Sequence, residues 1–302
     1  MLIKKITILL LVGLSSIYAK SDLMSGLTDI VDKAEEVKTE NKKVLDYAFK
    51  QRMRTQWMAR DALLISMDFN SSFYQKELLA NADAFNENFN NLINSKEDIK
   101  KAEKIDSNFS KKIEDVKEIW SKFYDSVKNI SKNGKDKDSL KFIEDNNIKL
   151  LDDIAYIFTN FIQSYQSTDK LEASMAHIKS MLYTQVGKPR MYINKLVKER
   201  LLIEQNINKK ENQDSLEESI KYMDKLMKAL KNGDKDLELN GTEDIKILEK
   251  LSNSQKIWEE VKALSLKKKI TKDELQTLIL KNEEFIKVQT EVVKLTRESN
   301  DN

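Results

Sequence analysis

The sequence predicts an all-α protein made of two tandem four-helix, up-down bundles joined by one long continuous helix. Three observations lead to this prediction. The 302 residues include only 6 Gly and 1 Pro, whereas sheet proteins use both residue types at many turns. Charged residues make up 34% of the chain and hydrophobic residues 40%, which is typical of long amphipathic helices. Apolar residues also recur at three- and four-residue spacing almost throughout the chain after residue 24.

This spacing predicts eight helices separated by short polar breaks. The breaks contain Asn70, Asn133-Gly134, Asn232-Gly233 and Asn240-Gly241, and Asn and Gly at such positions tolerate the left-handed backbone that ends helices. No comparable break lies near residue 167, so one helix is expected to run from the first half into the second. The predicted helices cover residues 24–67, 72–94, 107–132, 138–167, 168–208, 212–231, 244–263 and 271–299.

The segment 1–19 has the pattern of a cleavable signal peptide. Lys4 and Lys5 are followed by an apolar run at 6–14 and by a small residue, Ala19, suited to signal peptidase. Cleavage after Ala19 would give a periplasmic or secreted protein. No later stretch approaches the roughly 20 apolar residues that a membrane-spanning helix needs.

Composition also argues against several classes of function. The chain has no Cys and a single His, His177, which disfavours thiolate or histidine metal sites and histidine-dependent catalysis. We therefore expect a protein that is not an enzyme and that holds neither a metal nor a cofactor. The formal net charge of +2 falls to zero without Lys4 and Lys5, so nucleic acid is not an expected partner.

An internal repeat divides the chain. The window KQRMRTQWMARDALLI at 50–65 and the window KPRMYINKLVKERLLI at 188–203 share six identical positions when Lys50 is aligned with Lys188. The same alignment, continued without a gap, places Trp120 on Trp258. The repeat predicts two domains, a first bundle at 20–167 and a second bundle at 168–302.

Arginine is rare in this chain, with 6 residues against 46 lysines, and five of the six arginines lie in or beside the repeat windows. Arg52 and Arg190 lie on otherwise apolar helical seams, and Gln56 and Asn194 follow them one turn later. The planar donor fork of arginine suits a carboxylate or a small oxyanion. Because a buried arginine needs a partner, either a carboxylate from another helix or a bound anion is expected. Pro189, inside the second seam helix, is expected to kink or open it.

These same windows resemble a known family. Residues 48–59, AFKQRMRTQWMA, and 186–197, VGKPRMYINKLV, resemble the AGRQRMLSQRMA signature of PilJ-type domains. These are the sensory domains of type IV pilus chemotaxis-like transducers and are related to the periplasmic sensors of nitrate-responsive kinases. The resemblance implies tandem four-helix bundles. It also implies anion binding by the signature arginine where two first helices meet, a role that falls here to Arg52 and Arg190, with Gln56 and Asn194 in the amide position.

Two functions remain open at this point. The first is an exported sensory module that recognises a small molecule, nitrate or another small oxyanion, and reports to a separate membrane-bound receptor or kinase. Its two half-sites would face each other within one chain, or each would need a second chain in a homodimer. The alternative is a structural or scaffolding helical protein of an envelope or pilus-linked complex that binds no small ligand.

Overall fold

The computed structural model describes residues 50–164 and 170–301, and these residues confirm the all-α, helical-bundle fold. Within these ranges the backbone forms nine helices and no strand beyond one isolated bridge between Asp234 and Leu239. The helices are α1 (50–66), α2 (Ser71–Asn94), α3 (Lys96–Glu103), α4 (Phe109–Lys132), α5 (Lys137–Ser164), α6 (Lys170–Glu204), α7 (Lys209–Asn232), α8 (Ile245–Ser265) and α9 (Lys272–Asp301).

The described helices follow the predicted ranges closely, with one addition. The short helix α3 was not predicted because its eight residues carry only two apolar side chains, too few to show a period. Ala102 is nevertheless buried, and Ile99 packs against the core. The predicted break between α7 and α8 is confirmed, since Gly233 and Gly241 have φ angles of 84° and 75°.

Each half of the chain buries its own apolar face. In the first half, α4 packs against α2 and α5, and α1 joins them through Gln51, whose amide donates to the carbonyl of Phe85 on α2 at 2.8 Å. In the second half, α6 packs against α7 and α9, and α8 packs against α9. The centre of the first half is aromatic: the rings of Phe85 and Trp120 lie 4.1 Å apart, and Phe109 meets Phe161 edge to face at 5.0 Å. Packing of this kind holds helices in a fixed register.

Matching turns follow α1 and α6. Asn70 and Asn208 precede α2 and α7 with φ angles of 40° each and ψ angles of 45° and 46°. Asp68 and Asn206 also have positive φ angles, of 55° and 58°. The members of each pair are equivalent in the alignment of the sequence repeat, and both left-handed positions hold Asn or Asp, which tolerate them best.

The two repeated tryptophans also make matching contacts. Trp120 donates from its indole nitrogen to Asn86 at 2.9 Å, and Trp258 donates to Asp224 at 2.8 Å. Asn86 and Asp224 are again equivalent positions of the repeat. These matched contacts support the internal repeat, while the domain boundary at residue 167 stays a prediction.

The two halves lie side by side, with α1 against α6. Arg60 of α1 donates to Asn194 of α6 at 2.9 Å, and Gln205, after α6, donates to Ser66 of α1 at 3.3 Å. The partner number rises with the residue number, so α1 and α6 run parallel. A further contact joins Tyr74 at the start of α2 to Glu283 of α9 at 3.2 Å.

Helices α5 and α6 lie against each other. Lys198 of α6 donates to Asn147 of α5 at 2.9 Å, whereas in a straight helix these residues would be about 75 Å apart. The two helices are therefore not successive parts of one straight helix. Residues 165–169, where the continuous helix was predicted, lie outside the described ranges. Pro189 lies inside α6, and the helix continues on both sides of it, so the predicted opening is not seen.

The predicted signal peptide at 1–19 and the start of the first predicted helix lie outside the described residues. Among the helices that are described, none is long and apolar enough to cross a membrane.

The connection between α7 and α8 gives a direct test of the backbone geometry. We expect Gly241→Ala to lower the free energy of unfolding by about 2 kcal/mol, because the residue has a positive φ angle and an added Cβ would lie 2.7 Å from the backbone nitrogen of Gly233. Urea denaturation followed by circular dichroism measures this. Lys235→Ala, an exposed change in the same connection, serves as control, and equal stability of the two variants would contradict the prediction.

Candidate functional site

The predicted site residues lie on the two helices that meet between the halves. Arg52 and Gln56 lie on α1, and Arg190 and Asn194 lie on α6. The structure gives the four residues three different environments, which we describe from the buried centre of the contact outward.

The two amides lie in buried contacts within the protein. The side-chain oxygen of Asn194 accepts from Arg60 at 2.9 Å and from Asn282 at 3.1 Å, and its nitrogen donates to the carbonyl of Arg190 at 2.7 Å. Gln56 donates to Asn147 at 3.4 Å, and its oxygen is buried without a donor. Both amide side chains are 0% exposed. Asn194 connects the two halves, whereas Gln56 connects α1 to α5 within the first half, and neither amide is aimed at solvent.

The arginine at the centre of this contact is Arg60. It is 7% exposed and donates to one oxygen of Asp61 from Nε at 2.8 Å and from Nη2 at 2.6 Å, while Nη1 reaches Asn194. Burial raises the pKa of Asp61 to about 6, and the positive charge of Arg60 limits the rise. The pattern of seam residues does not predict this site. The signal was present in the repeat, where a base followed by an acid occurs twice, as Arg60-Asp61 and Lys198-Glu199.

The repeat counterpart of Arg60 is Lys198, and its surroundings differ. Lys198 donates to Asn147, its one side-chain partner among the described residues, and burial lowers the pKa of Lys198 to about 8. Its neighbour Glu199 pairs instead with Lys195 at 2.7 Å. Across the contact, burial raises the pKa of Glu144 to about 7, and one of its oxygens is buried without a donor. The second half therefore holds its central cation less completely than the first half holds Arg60.

One turn before Gln56, Arg52 lies near residues of the second half. Burial lowers the pKa of Arg52, and the groups that oppose this are Tyr192, Asp152 and Tyr222. Its Nε is buried without an acceptor, and its guanidinium donates no hydrogen bond to any described residue. Burial lowers the pKa of Lys188, and the positive charge of Arg52 lowers it further. The two cations therefore lie close to each other.

Two tyrosines form a wall beside these cations. The rings of Tyr192 and Tyr222 stack with their centroids 4.4 Å apart, and Lys188 donates to the hydroxyl of Tyr222 at 3.2 Å. Burial raises the pKa of Tyr222 to about 12 and also raises that of Tyr192, so both hydroxyl groups keep their protons near neutral pH. Arg52, Lys188 and the two tyrosines, which we call the Arg52 cluster, therefore present hydrogen-bond donors and positive charge from both halves.

The remaining arginines of the repeat windows have partners in the protein. Arg190 donates to the hydroxyl of Thr290 at 3.4 Å, and Arg54 donates to Gln51 at 2.9 Å. Arg200, 1% exposed, donates to the carbonyl of Lys267 at 2.6 Å and forms an ion pair with Glu204. Arg200 thereby satisfies a carbonyl group that follows the end of α8, a structural role that sequence analysis did not predict.

Within the described residues, no group of three or more His, Asp or Glu side chains could hold a metal ion. The Arg52 cluster has the chemistry to bind an anion, since its charges are positive and its polar groups are mainly hydrogen-bond donors.

Comparisons with known proteins return nothing for this chain: no protein-family model, no curated protein and no solved structure matches it. The resemblance to PilJ-type domains therefore stays a prediction that rests on the two signature windows.

The buried pair at the centre can be tested by stability measurements. Asp61→Ala would leave the charge of Arg60 buried without its acid, so we expect the free energy of unfolding to fall by roughly 3–5 kcal/mol. Glu118→Ala removes an exposed acid of α4 that pairs with exposed Lys122 and is expected to change little. A loss at Asp61 no larger than that at Glu118 would show that Asn194 alone satisfies Arg60.

The central ionisable groups predict an unusual pH dependence. Glu144 keeps its proton to about pH 7 when folded but loses it near its ordinary pKa of 4.5 when unfolded, so its contribution to the free energy of unfolding falls between pH 4.5 and 7. Lys198, with a pKa of about 8 against 10.5, binds its proton more tightly when unfolded, so its contribution rises between pH 8 and 10.5. Together these two groups stabilise the fold least between pH 7 and 8.

We expect Glu144→Gln to reduce the fall in the free energy of unfolding below pH 7. A part of that fall should remain, because burial also raises the pKa of Asp61 to about 6. Lys198→Met should remove the rise above pH 8. Denaturant titrations at several pH values measure both effects. Glu118→Gln, which changes an exposed carboxylate on α4, should follow the wild-type profile. Parallel profiles for all four proteins would contradict the prediction.

Proposed function

We propose that this chain is an exported sensory module, rather than an enzyme, that binds one small anion at the Arg52 cluster and reports to a separate membrane-bound partner. The observation that carries the proposal is the state of Arg52: a half-buried guanidinium that donates to no described residue and lies beside a second cation, Lys188. Removing two neighbouring like charges from water is unfavourable, and more so when one of them, Arg52, has no acceptor among the described residues. A bound oxyanion or carboxylate would relieve both costs.

The geometry also suggests how binding would be transmitted. Arg52 lies on the same helix face as Gln56, which bonds to Asn147, and Asn147 also accepts from Lys198 of the other half. An anion bound between Arg52 of α1 and Lys188 of α6 would draw the two helices together at this contact. Small helix shifts of about 1–2 Å at such interfaces are a common form of signalling.

Anion binding is tested by isothermal titration of the purified protein with nitrate, nitrite and acetate. We expect saturable binding of one anion per chain by the wild type. Arg52→Gln and Lys188→Met each remove a charged donor and should weaken binding roughly 10- to 100-fold. Arg54→Gln removes the same charge two residues away, where the side chain bonds to Gln51, and should bind like the wild type.

Two results would contradict the proposal. One is a folded wild type that binds none of the three anions, which would favour the scaffolding function. The other is equal binding by the wild type, Arg52→Gln and Lys188→Met, which would place the anion elsewhere. Circular dichroism on each variant separates loss of binding from loss of folding.

A further inference from the structure

We propose that Asp152 of α5 makes the Arg52 cluster selective for anions that carry a single negative charge. This inference rests on the proposed function and extends it to the charge of the ligand. It depends on where α5 lies relative to α1, on the charges that surround the cluster, and on a difference between the two halves.

The register of α1 and α5 places Asp152 at the level of the cluster along the helix axes. Gln56 bonds to Asn147, and Gly134, just before α5, lies against Ile65 near the end of α1. Partner numbers therefore fall as α1 numbers rise, so the two helices are antiparallel. From the Gln56–Asn147 contact, Arg52 is four residues back along α1, about 6 Å, and Asp152 is five residues forward along α5, about 7.5 Å. Both steps lead in the same direction.

Electrostatic effects on two members of the cluster agree with this position. Burial lowers the pKa of Arg52, and the negative charge of Asp152 partly restores it. Burial raises the pKa of Tyr192. The charge of Glu199, which pairs with Lys195, raises it further, and so does that of Asp152. Asp152 is exposed and forms neither an ion pair nor a hydrogen bond with any described side chain. Its carboxylate acts on the cluster through space and leaves the donors of Arg52 available.

The charges then define what can bind. Arg52 and Lys188 contribute two positive charges and Asp152 one negative charge, so the three groups together carry a single positive charge. A singly charged anion neutralises it. A second negative charge on the ligand pays a further desolvation cost, and Asp152 offsets part of the attraction that the two cations exert on it. Repulsion by Asp152 across several ångströms lowers the affinity for that second charge roughly tenfold.

The repeat shows that this arrangement belongs to one half only. With the three-residue shorter connection of the second half, which aligns Asn147 with Asn282, the position of Asp152 is occupied by Lys287. The acid is thus specific to the half that contains Arg52, as expected of a residue that tunes one site.

The test compares nitrate with sulfate by isothermal titration at constant ionic strength on three proteins. In the wild type we expect nitrate to bind more tightly than sulfate. In Asp152→Asn the preference should fall roughly tenfold, mainly because sulfate binds more tightly. Asp145→Asn, an exposed change on the same helix whose carboxylate pairs with Lys141, should keep the wild-type preference. The same two anions are used with all three proteins, so the difference in anion shape is constant. A change in the ratio of the nitrate and sulfate affinities therefore reports the removed charge.

The possible results separate the two proposals. If the wild type binds nitrate but Asp152→Asn keeps the wild-type preference, or if the wild type already binds sulfate as tightly as nitrate, the selectivity role of Asp152 is wrong and anion binding stands. If neither the wild type nor Asp152→Asn binds either anion, both proposals fail. Asp152 is exposed, so the variant is expected to fold, and circular dichroism checks this.

Discussion

The contact between α1 and α6 depends on satisfying one buried cation. Arg60 is almost entirely removed from water, and its fork is filled by Asp61 from its own helix and by Asn194 from the other half. A shift of either helix by one residue would separate Arg60 from Asn194 and leave a charged donor unsatisfied, which costs several kcal/mol in a protein interior. Apolar packing alone tolerates such shifts more easily. The polar contact therefore fixes the register in which the halves meet. That register sets the positions of the other side chains of α1 and α6 at the contact.

The halves solve the same problem with different chemistry. Arginine offers five donors in a plane and can reach an acid and an amide together, whereas lysine offers a compact charge at the end of a flexible chain. At the counterpart position, Lys198 donates to Asn147, and Glu199 pairs with Lys195 and accepts from Ser215. Among the described residues, Arg60 therefore reaches an acid and an amide, whereas Lys198 reaches an amide alone.

The sequence predicts the helices well because each one carries its own period of apolar residues, and the Asn and Gly breaks act locally. The repeat also agrees with the matching turns at Asn70 and Asn208. The site is less accessible to such reasoning. Gln56 and Asn194 have the position of ligand-binding amides in the sequence, yet the structure gives both of them partners inside the protein. Those partners lie on other helices, far away along the chain, and no local pattern shows which helix faces which. The base–acid pair at 60–61 is repeated at 198–199. A sequence alone does not show whether such a charged pair is buried or lies on the solvated surface.

Why should Arg52 and Arg190, which occupy equivalent positions, have different surroundings? In a homodimer the two copies of a residue have the same neighbours by symmetry. When both copies lie in one chain, each can change separately. Around Arg52 the second half provides Lys188 and the stacked pair of Tyr192 and Tyr222; the repeat counterparts of these three residues are Lys50, Arg54 and Ala84. Arg190 bonds to Thr290 instead. The aromatic wall and its hydroxyl groups thus exist on one side only, and a chain of this kind would bind a single anion where a symmetric pair would offer two equal half-sites.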